Sequence, residues 1–270
     1  MSARDWALRG SPAVLVVLAA VLGPWLAPHS VDTAVGPPFA GPSADAWLGS
    51  DRLGHDVFSQ LLHGGWGLIL LAAFIAAVVT GLSSVLGAVV ALWPRWGAVI
   101  ERCADLLILL PVVLALLLVV MTWPRWGTVG VVIVGVVFGV PYCARVFAAA
   151  ATGVAASGYI EAARLSGESA SYVIFRELLP NLRELLLTQL GLRFVAGMYL
   201  VATAAFLRLP SVLGAANWAV MVRDNASGIL LNPWSVLAPS VAIGLVAVSV
   251  NLLAAALGGR PAVRTEGGGS

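Results

Sequence analysis

Residues 66–93 carry no charged side chain. A bilayer core is crossed by about 20 mostly apolar residues in a helix, so this run is long enough to span it. Five more apolar runs share that logic: 11–27, interrupted by Pro24; 106–123, with Asp105 at its edge and Pro111 inside; 126–144, with Pro141 near its end; 185–207, carrying Arg193; and 229–258, long enough to span with tilt. Strands of a membrane barrel would alternate apolar and polar residues. These runs are continuous, which predicts an all-α integral membrane protein with six transmembrane helices.

Composition narrows the function. Of the 270 residues, 60% are hydrophobic and 10% charged, against about 45–50% and about 25% in soluble domains. Such a chain cannot clothe a water-facing surface, which excludes a soluble enzyme. All 15 basic residues are arginine. Without lysine there is no P-loop, Schiff base or pyridoxal-phosphate site. A net charge of +2 is too small to point to nucleic acid. Cys103 and Cys143 lack ligand spacing and read as small apolar fillers. Arg4 and Arg9 before a short apolar run also fit a signal peptide. Trp25-Leu26-Ala27-Pro28 is a poor cleavage site, however, and the run is read as a helix. Residues 1–266 are expected to form one membrane domain, and residues 267–270 read as a flexible linker remnant.

Arginine placement sets the orientation. With an internal N-terminus, the inner segments hold Arg4, Arg9, Arg95, Arg102, Arg145, Arg164, Arg176, Arg183, Arg260 and Arg264. The outer ones hold Arg52, Arg125, Arg208 and Arg223. Both termini are therefore expected in the cytosol. Three polar segments remain: an outer loop over 28–65, an inner loop over 145–184 and a second outer loop over 208–228. None is large enough for a separate catalytic domain.

The inner loop is the most informative. Residues 159–165 suit two helical turns. Gly167 breaks or caps them, Ser169 or Ser171 starts a second helix, and Pro180 leads into the next. Ala162 and Ala163 leave room for close approach, and Tyr159 and Phe175 offer anchors for a groove. A partnerless amphipathic loop on the membrane surface fits the same residues.

In the outer loop, Gly49 and Gly54 allow tight turns, and Asp56 suits an N-cap for a short helix over 57–62. Asp51, Arg52 and Asp56 are placed to pair locally. A metal site at Asp51, His55, Asp56 and His63 lacks repeated ligand spacing. In the spans, Arg193 either snorkels to the inner face or marks function, and Asp105 is expected to pair with Arg102. There is no intramembrane chain of acidic residues and histidines for proton coupling, and no HExxH or GxSxG motif.

Glu161-Ala162-Ala163, three residues, Gly167, then Leu179-Pro180 resembles the EAA loop of ABC-importer permeases. Tyr159, Arg164, Phe175 and Asn181 extend the likeness to the dipeptide/oligopeptide/nickel branch. Ser166 and Glu177 depart from that branch, which usually has Leu and often His there. Leu48-Gly49-Ser50-Asp51-Arg52-Leu53-Gly54-His55-Asp56 resembles the branch's Leu-Gly-Thr-Asp-x-Leu-Gly-Arg-Asp segment. His55, Gln60 and Trp66 stand where relatives usually have arginines. Asn217-Trp218-Ala219-Val220-Met221, Asn232-Pro233-Trp234 and Asn251-Leu252-Leu253 resemble its closing pattern. Ala219 there replaces a usual Gly, and Arg208 a Gly-rich turn.

The resemblance implies a type I importer permease in the bacterial inner membrane, forming half of a translocation pathway. It implies coupling to ATPase subunits at Tyr159, Glu161, Ala162, Ala163, Arg164, Gly167, Phe175, Leu179, Pro180 and Asn181, and an extracytoplasmic motif at Gly49, Asp51, Leu53, Gly54 and Asp56. The implied partners are a homologous second permease, two cytosolic ATPase subunits or domains that bind ATP and Mg, an extracytoplasmic binding protein and membrane lipid. No cofactor, catalytic residue, metal or nucleic acid is expected for this chain. Di- or oligopeptides are the expected cargo, with nickel, glutathione or haem-like cargo as alternatives. An ion-coupled secondary transporter and a non-transporting scaffold are the readings from other classes.

Overall fold

The computed structural model describes residues 22–207 and 217–258. Expectations resting on residues 11–21, on Arg208, on the terminal arginines and on residues 267–270 lie outside the described residues. The described part is helical, and its only β pairing is two isolated antiparallel bridges in the outer loop, Ala34 with His55 and Ser50 with Asp56.

The longest helix, α1 (Val57–Leu92), begins at Asp56, whose carboxylate accepts from the Phe58 and Ser59 backbone N–H groups. At 1.5 Å per residue it is about 54 Å long, against a bilayer core of about 30 Å. The short helix expected over 57–62 and the span expected from 66 are thus one element. Gly64 and Gly65 between them do not break it, because both are buried. A Cβ on Gly65 would fall within the Trp218 ring, so glycine here serves close packing.

Past Leu92 comes Trp93-Pro94-Arg95-Trp96-Gly97, and the same pentapeptide returns as Trp123-Pro124-Arg125-Trp126-Gly127. Both make one 3₁₀ turn after a tryptophan of nearly equal φ, −133° and −129°. They diverge at the glycine: φ is −57° at Gly97 and +39° at Gly127, the latter a conformation costly to any other residue. Trp96, Trp123, Trp126 and both arginines are exposed, as suits side chains anchored at membrane–water interfaces.

Between the two turns lie α2 (Gly97–Ile108) and α3 (Val112–Thr122). Here the structure corrects the expectation of one helix over 106–123. The two helices are bent by 84° relative to each other. Pro111 lacks the N–H that would bond to Leu107 and disfavours helical backbone at Leu110. The Leu110 N–H closes a tight turn on Leu107 O at 3.2 Å, and Pro111 O starts α3 by accepting from Leu114 and Ala115.

The fourth helix, α4 (Gly127–Ala155), runs well past the expected limit at 144 and contains Pro141. It lies along α1 in the same direction: a Cβ on Gly135 would meet Ile75, on Gly139 Val79, and on Gly87 Phe147. Because α1 and α4 are parallel neighbours, the chain between them must return to the starting side. The bent α2–α3 pair is that return. Among the described residues four helices are long and apolar enough to cross a membrane, and the bent pair, counted as one span, makes a fifth. Residues 22–26, at the end of the first predicted run, are helical.

Helix α6 (Arg183–Phe206) packs between α1 and α8 (Trp234–Gly258), and α7 (Trp218–Asn225) covers the outer ends of α6 and α8. Leu68, Ile75, Val79, Phe147, Met198 and Val246 belong to one continuous buried cluster. The α2–α3 pair leans mainly on α4, leaving Leu106, Leu109, Leu114 and Met121 exposed.

Candidate functional site

The inner loop and the outer loop lie at opposite ends of the bundle, since α1 starts in one and ends against the other. At the inner end, α4 stops at Ala155, and Ser157 in extended conformation opens α5 (Gly158–Leu165). Glu161 in the first turn and Arg164 in the last match the helix dipole. The stop is a Schellman motif, in which Glu168 N–H bonds to Ala163 O and Gly167 N–H to Arg164 O, each at 3.2 Å. It requires a left-handed residue at Gly167, whose φ is +80°. Ser169, one of the two predicted starts, then caps Ala170–Tyr172 by accepting from Tyr172 N–H at 3.3 Å.

A wide π turn over Val173–Leu178 follows, then Leu179–Asn181. Pro180 withholds a backbone donor here, and the Asn181 side chain donates to Glu177 O at 2.6 Å. Helix α6 begins only at Arg183, three residues after the proline predicted to mark its start.

This hairpin has two faces. Ile160, Val173, Ile174, Leu178 and Leu182 are buried in the bundle core. Tyr159, Glu161, Ala162, Arg164, Gly167, Phe175, Pro180 and Asn181 are exposed, while Ala163 and Leu179 are half-buried. Leu165 is 82% exposed and Phe175 57%. Most of the predicted inner residues are thus solvent-accessible on this hairpin, while its apolar residues Ile160, Val173, Ile174, Leu178 and Leu182 enter the core. Large apolar side chains there, held by a buried second face, form a surface suited to a partner.

At the outer end the two predicted carboxylates have local tasks. Asp51 is buried and accepts from Leu53 N–H and His55 N–H, both at 2.8 Å, and from Gln60 Nε2 at 2.8 Å. His55 Nδ1 lies 3.4 Å from the same carboxylate. His55 and Gln60, which replace arginines usual in the resembled branch, both serve Asp51. Asp56 caps α1, accepts from Ser59 Oγ at 2.6 Å and lies 3.3 Å from His29 Nδ1. Leu53 is exposed. Gly49 and Gly54 have φ of +72° and +83°.

Local pairing among Asp51, Arg52 and Asp56 does not occur. Arg52 instead reaches across to Asp224 at 3.3 Å, and its backbone N–H donates to Asn225 Oδ1 at 3.0 Å. Likewise Asp105 pairs with Arg145 at 2.6 Å rather than with Arg102; α2 lies against α4, which brings that arginine into reach. Among the described residues no group of three or more His, Cys, Asp or Glu is arranged to hold a metal.

Asn232 is a key residue that the sequence reading placed in a motif without giving it a role. It is fully buried, and its Nδ2 donates to Leu48 O and Ser50 O, both at 3.0 Å. Trp218 similarly ties α7 to α1 through Nε1 and Leu61 O at 2.7 Å. Asn-Pro-Trp and Asn-Trp pairs, polar residues beside tryptophans at the ends of apolar runs, were the available signal.

Asp56→Ala removes the caps of Phe58 and Ser59 and leaves Ser59 Oγ without its acceptor. The expected loss is about 1–2 kcal/mol, read as a lower thermal unfolding midpoint of the purified protein. An unchanged midpoint would show that the outer loop does not depend on this carboxylate.

The architecture is that of a multi-span helical membrane protein, with a helical hairpin at one face and a hydrogen-bonded loop at the other. The chain belongs to the family of binding-protein-dependent transport system inner membrane components, matched over residues 83–262. It is therefore a multi-pass permease of the bacterial inner membrane. It is 29% identical over 259 residues to the "Probable D,D-dipeptide transport system permease protein" of Escherichia coli, covering 92% of this chain and 86% of that one. It is 30% identical over 216 residues to the glutathione transport system permease protein of Pectobacterium atrosepticum, covering 79% and 71%. It is 28% identical over 242 residues to the dipeptide transport system permease protein of Alkalihalophilus pseudofirmus, covering 88% and 78%. These likenesses support the resemblance to the dipeptide branch of ABC-importer permeases.

Proposed function

We propose that this permease forms half of the translocation pathway of an ATP-driven importer of di- or oligopeptides. The observation that carries the reading is the two-faced hairpin over 158–181. Its buried face is continuous with the core, so a push on its outer face is transmitted to α1, α4 and α6. Glu161, Ala162, Gly167 and Phe175, with the other residues of the EAA-like pattern, are the docking positions. Two ATPase subunits or domains bind ATP and Mg. Their closure moves the hairpin, and the bundle rocks between inward- and outward-facing states with a homologous second permease. A binding protein delivers cargo at the outer loop.

Peptide cargo draws support from the relatives' names, D,D-dipeptide, dipeptide and glutathione, the last itself a tripeptide. The test is co-purification. The tagged permease should bring ATPase subunits with it, and a peptide-loaded binding protein should stimulate ATP hydrolysis by the complex. A permease that purifies alone and moves solute on an ion gradient would be a secondary transporter. One that purifies alone and moves nothing would be a scaffold. Either result sinks the proposal.

A further inference from the structure

Arg193 lies ten residues into α6, about 15 Å along its axis, which is half the thickness of a bilayer core. It does not run back to the inner face. Its guanidinium carbon sits 5.7 Å from the centroid of the Tyr142 ring, and its Nε is buried with no hydrogen-bond partner. The arginine ion pairs of the described residues belong to Arg52, Arg145 and Arg223. Asp105, the nearby acid at the end of α2, is taken by Arg145. A cation held in a span without an acid partner is costly and marks function.

The space beside it indicates what the partner is. A cavity of about 370 Å³ opens between α1, the bend of α2–α3, α4 and α6. Ile108, Val112 and Gly139 form apolar wall, while Arg193, Tyr142 and Tyr199 bring polar atoms. The volume is of the order found for small-molecule sites, apolar walls with a few fixed polar groups. A lipid phosphate belongs to the headgroup layer and not to this depth. An ion pair with a second subunit would need no empty volume.

We propose that Arg193 is a carboxylate-binding residue of the transmembrane cavity, and that its ligand is the terminal carboxylate of a peptide in passage. This rests on the peptide-importer reading above. A guanidinium fork matches a carboxylate in two parallel hydrogen bonds, and the Tyr142 ring lies within cation–π range of its carbon, at 5.7 Å.

Ligand-observed NMR on the assembled importer in nanodiscs, without binding protein, tests it with Ala-Ala and its C-terminal amide. Ala-Ala should bind, and the amide should bind about 10-fold to 100-fold more weakly, the scale of one charge-assisted contact. Arg193→Gln should weaken Ala-Ala to the level of the amide, and Arg193→Lys should recover part of the difference. The comparison of acid with amide on the unmodified complex needs no variant to fold. Equal binding of acid and amide, undiminished binding by Arg193→Gln, or no binding at all would overturn the inference. An equal loss for both ligands in the variant would assign Arg193 to holding the second permease instead. ATP-driven peptide uptake with the binding protein present is scored separately. Acid-selective binding without uptake would remove the importer reading and leave the site. Uptake without acid selectivity would remove the site alone.

Discussion

Glu161→Arg and Gly167→Arg, each in the assembled importer, are expected to cut ATP-driven uptake by about tenfold or more while leaving membrane insertion unchanged. Both positions are exposed. A Cβ on Gly167 meets nothing within 4 Å, so the substitution creates no clash with the bundle. Its cost is conformational, about 1–2 kcal/mol for a left-handed residue other than glycine, and it falls on the Schellman stop that fixes where α5 ends. Glu161→Arg places a positive charge in the first turn of α5, against the helix dipole, for about 0.3–1 kcal/mol. Neither cost unfolds a bundle of this size. The loss that uptake reads is at the docking surface, where a bulky cation replaces a contact and about 1.4 kcal/mol is a factor of ten. Uptake into vesicles and stimulated ATP hydrolysis, measured together, check this. Uptake equal to that of the unmodified importer would remove the hairpin from the coupling path.

Gly49→Val is expected to have the largest effect on stability. The backbone there is left-handed, and a Cβ would fall on Ala40 O and lie 2.7 Å from Asn232 Nδ2. Asn232 would lose its hold on Leu48 O and Ser50 O, so strain, overpacking and two unsatisfied carbonyls coincide. The sum is about 3–6 kcal/mol. Gly41→Ala is the control, because a Cβ there has open space and the backbone is not left-handed. Thermal unfolding of the purified proteins should separate the two clearly. A Gly49→Val protein as stable as Gly41→Ala would mean that the outer loop is not packed in this way.

Much of this was legible from the order of residues. Charge-free runs locate the long helices, and Asp56, Gly167 and Ser169 act as the caps and stops that their chemistry indicates. What the sequence hides is tertiary choice. Pro111 and Pro141 look alike in apolar runs, yet one breaks the helix and the other is absorbed. Pro141 lies in α4 where that helix packs along α1, with Ser83 Oγ bonded to Val140 O at 3.1 Å. Pro111 lies in the pair that leans mainly on α4, where little packing resists a bend. Partners distant in the chain were equally hidden: Arg52 is nearer in sequence to Asp51 and Asp56 than to Asp224, but Asn225 holds its backbone beside α7. Arg102 lost Asp105 to Arg145 for the same reason. The repeated Trp-Pro-Arg-Trp-Gly was readable and marks the two ends of one crossing.

The most direct measurement is uptake of a labelled dipeptide into vesicles holding the complete complex, with the binding protein outside and ATP supplied to the ATPase side. Uptake should require both ATP and the binding protein, and should persist when ion gradients are collapsed. Uptake that continues without ATP and stops when the gradients are collapsed would contradict the account.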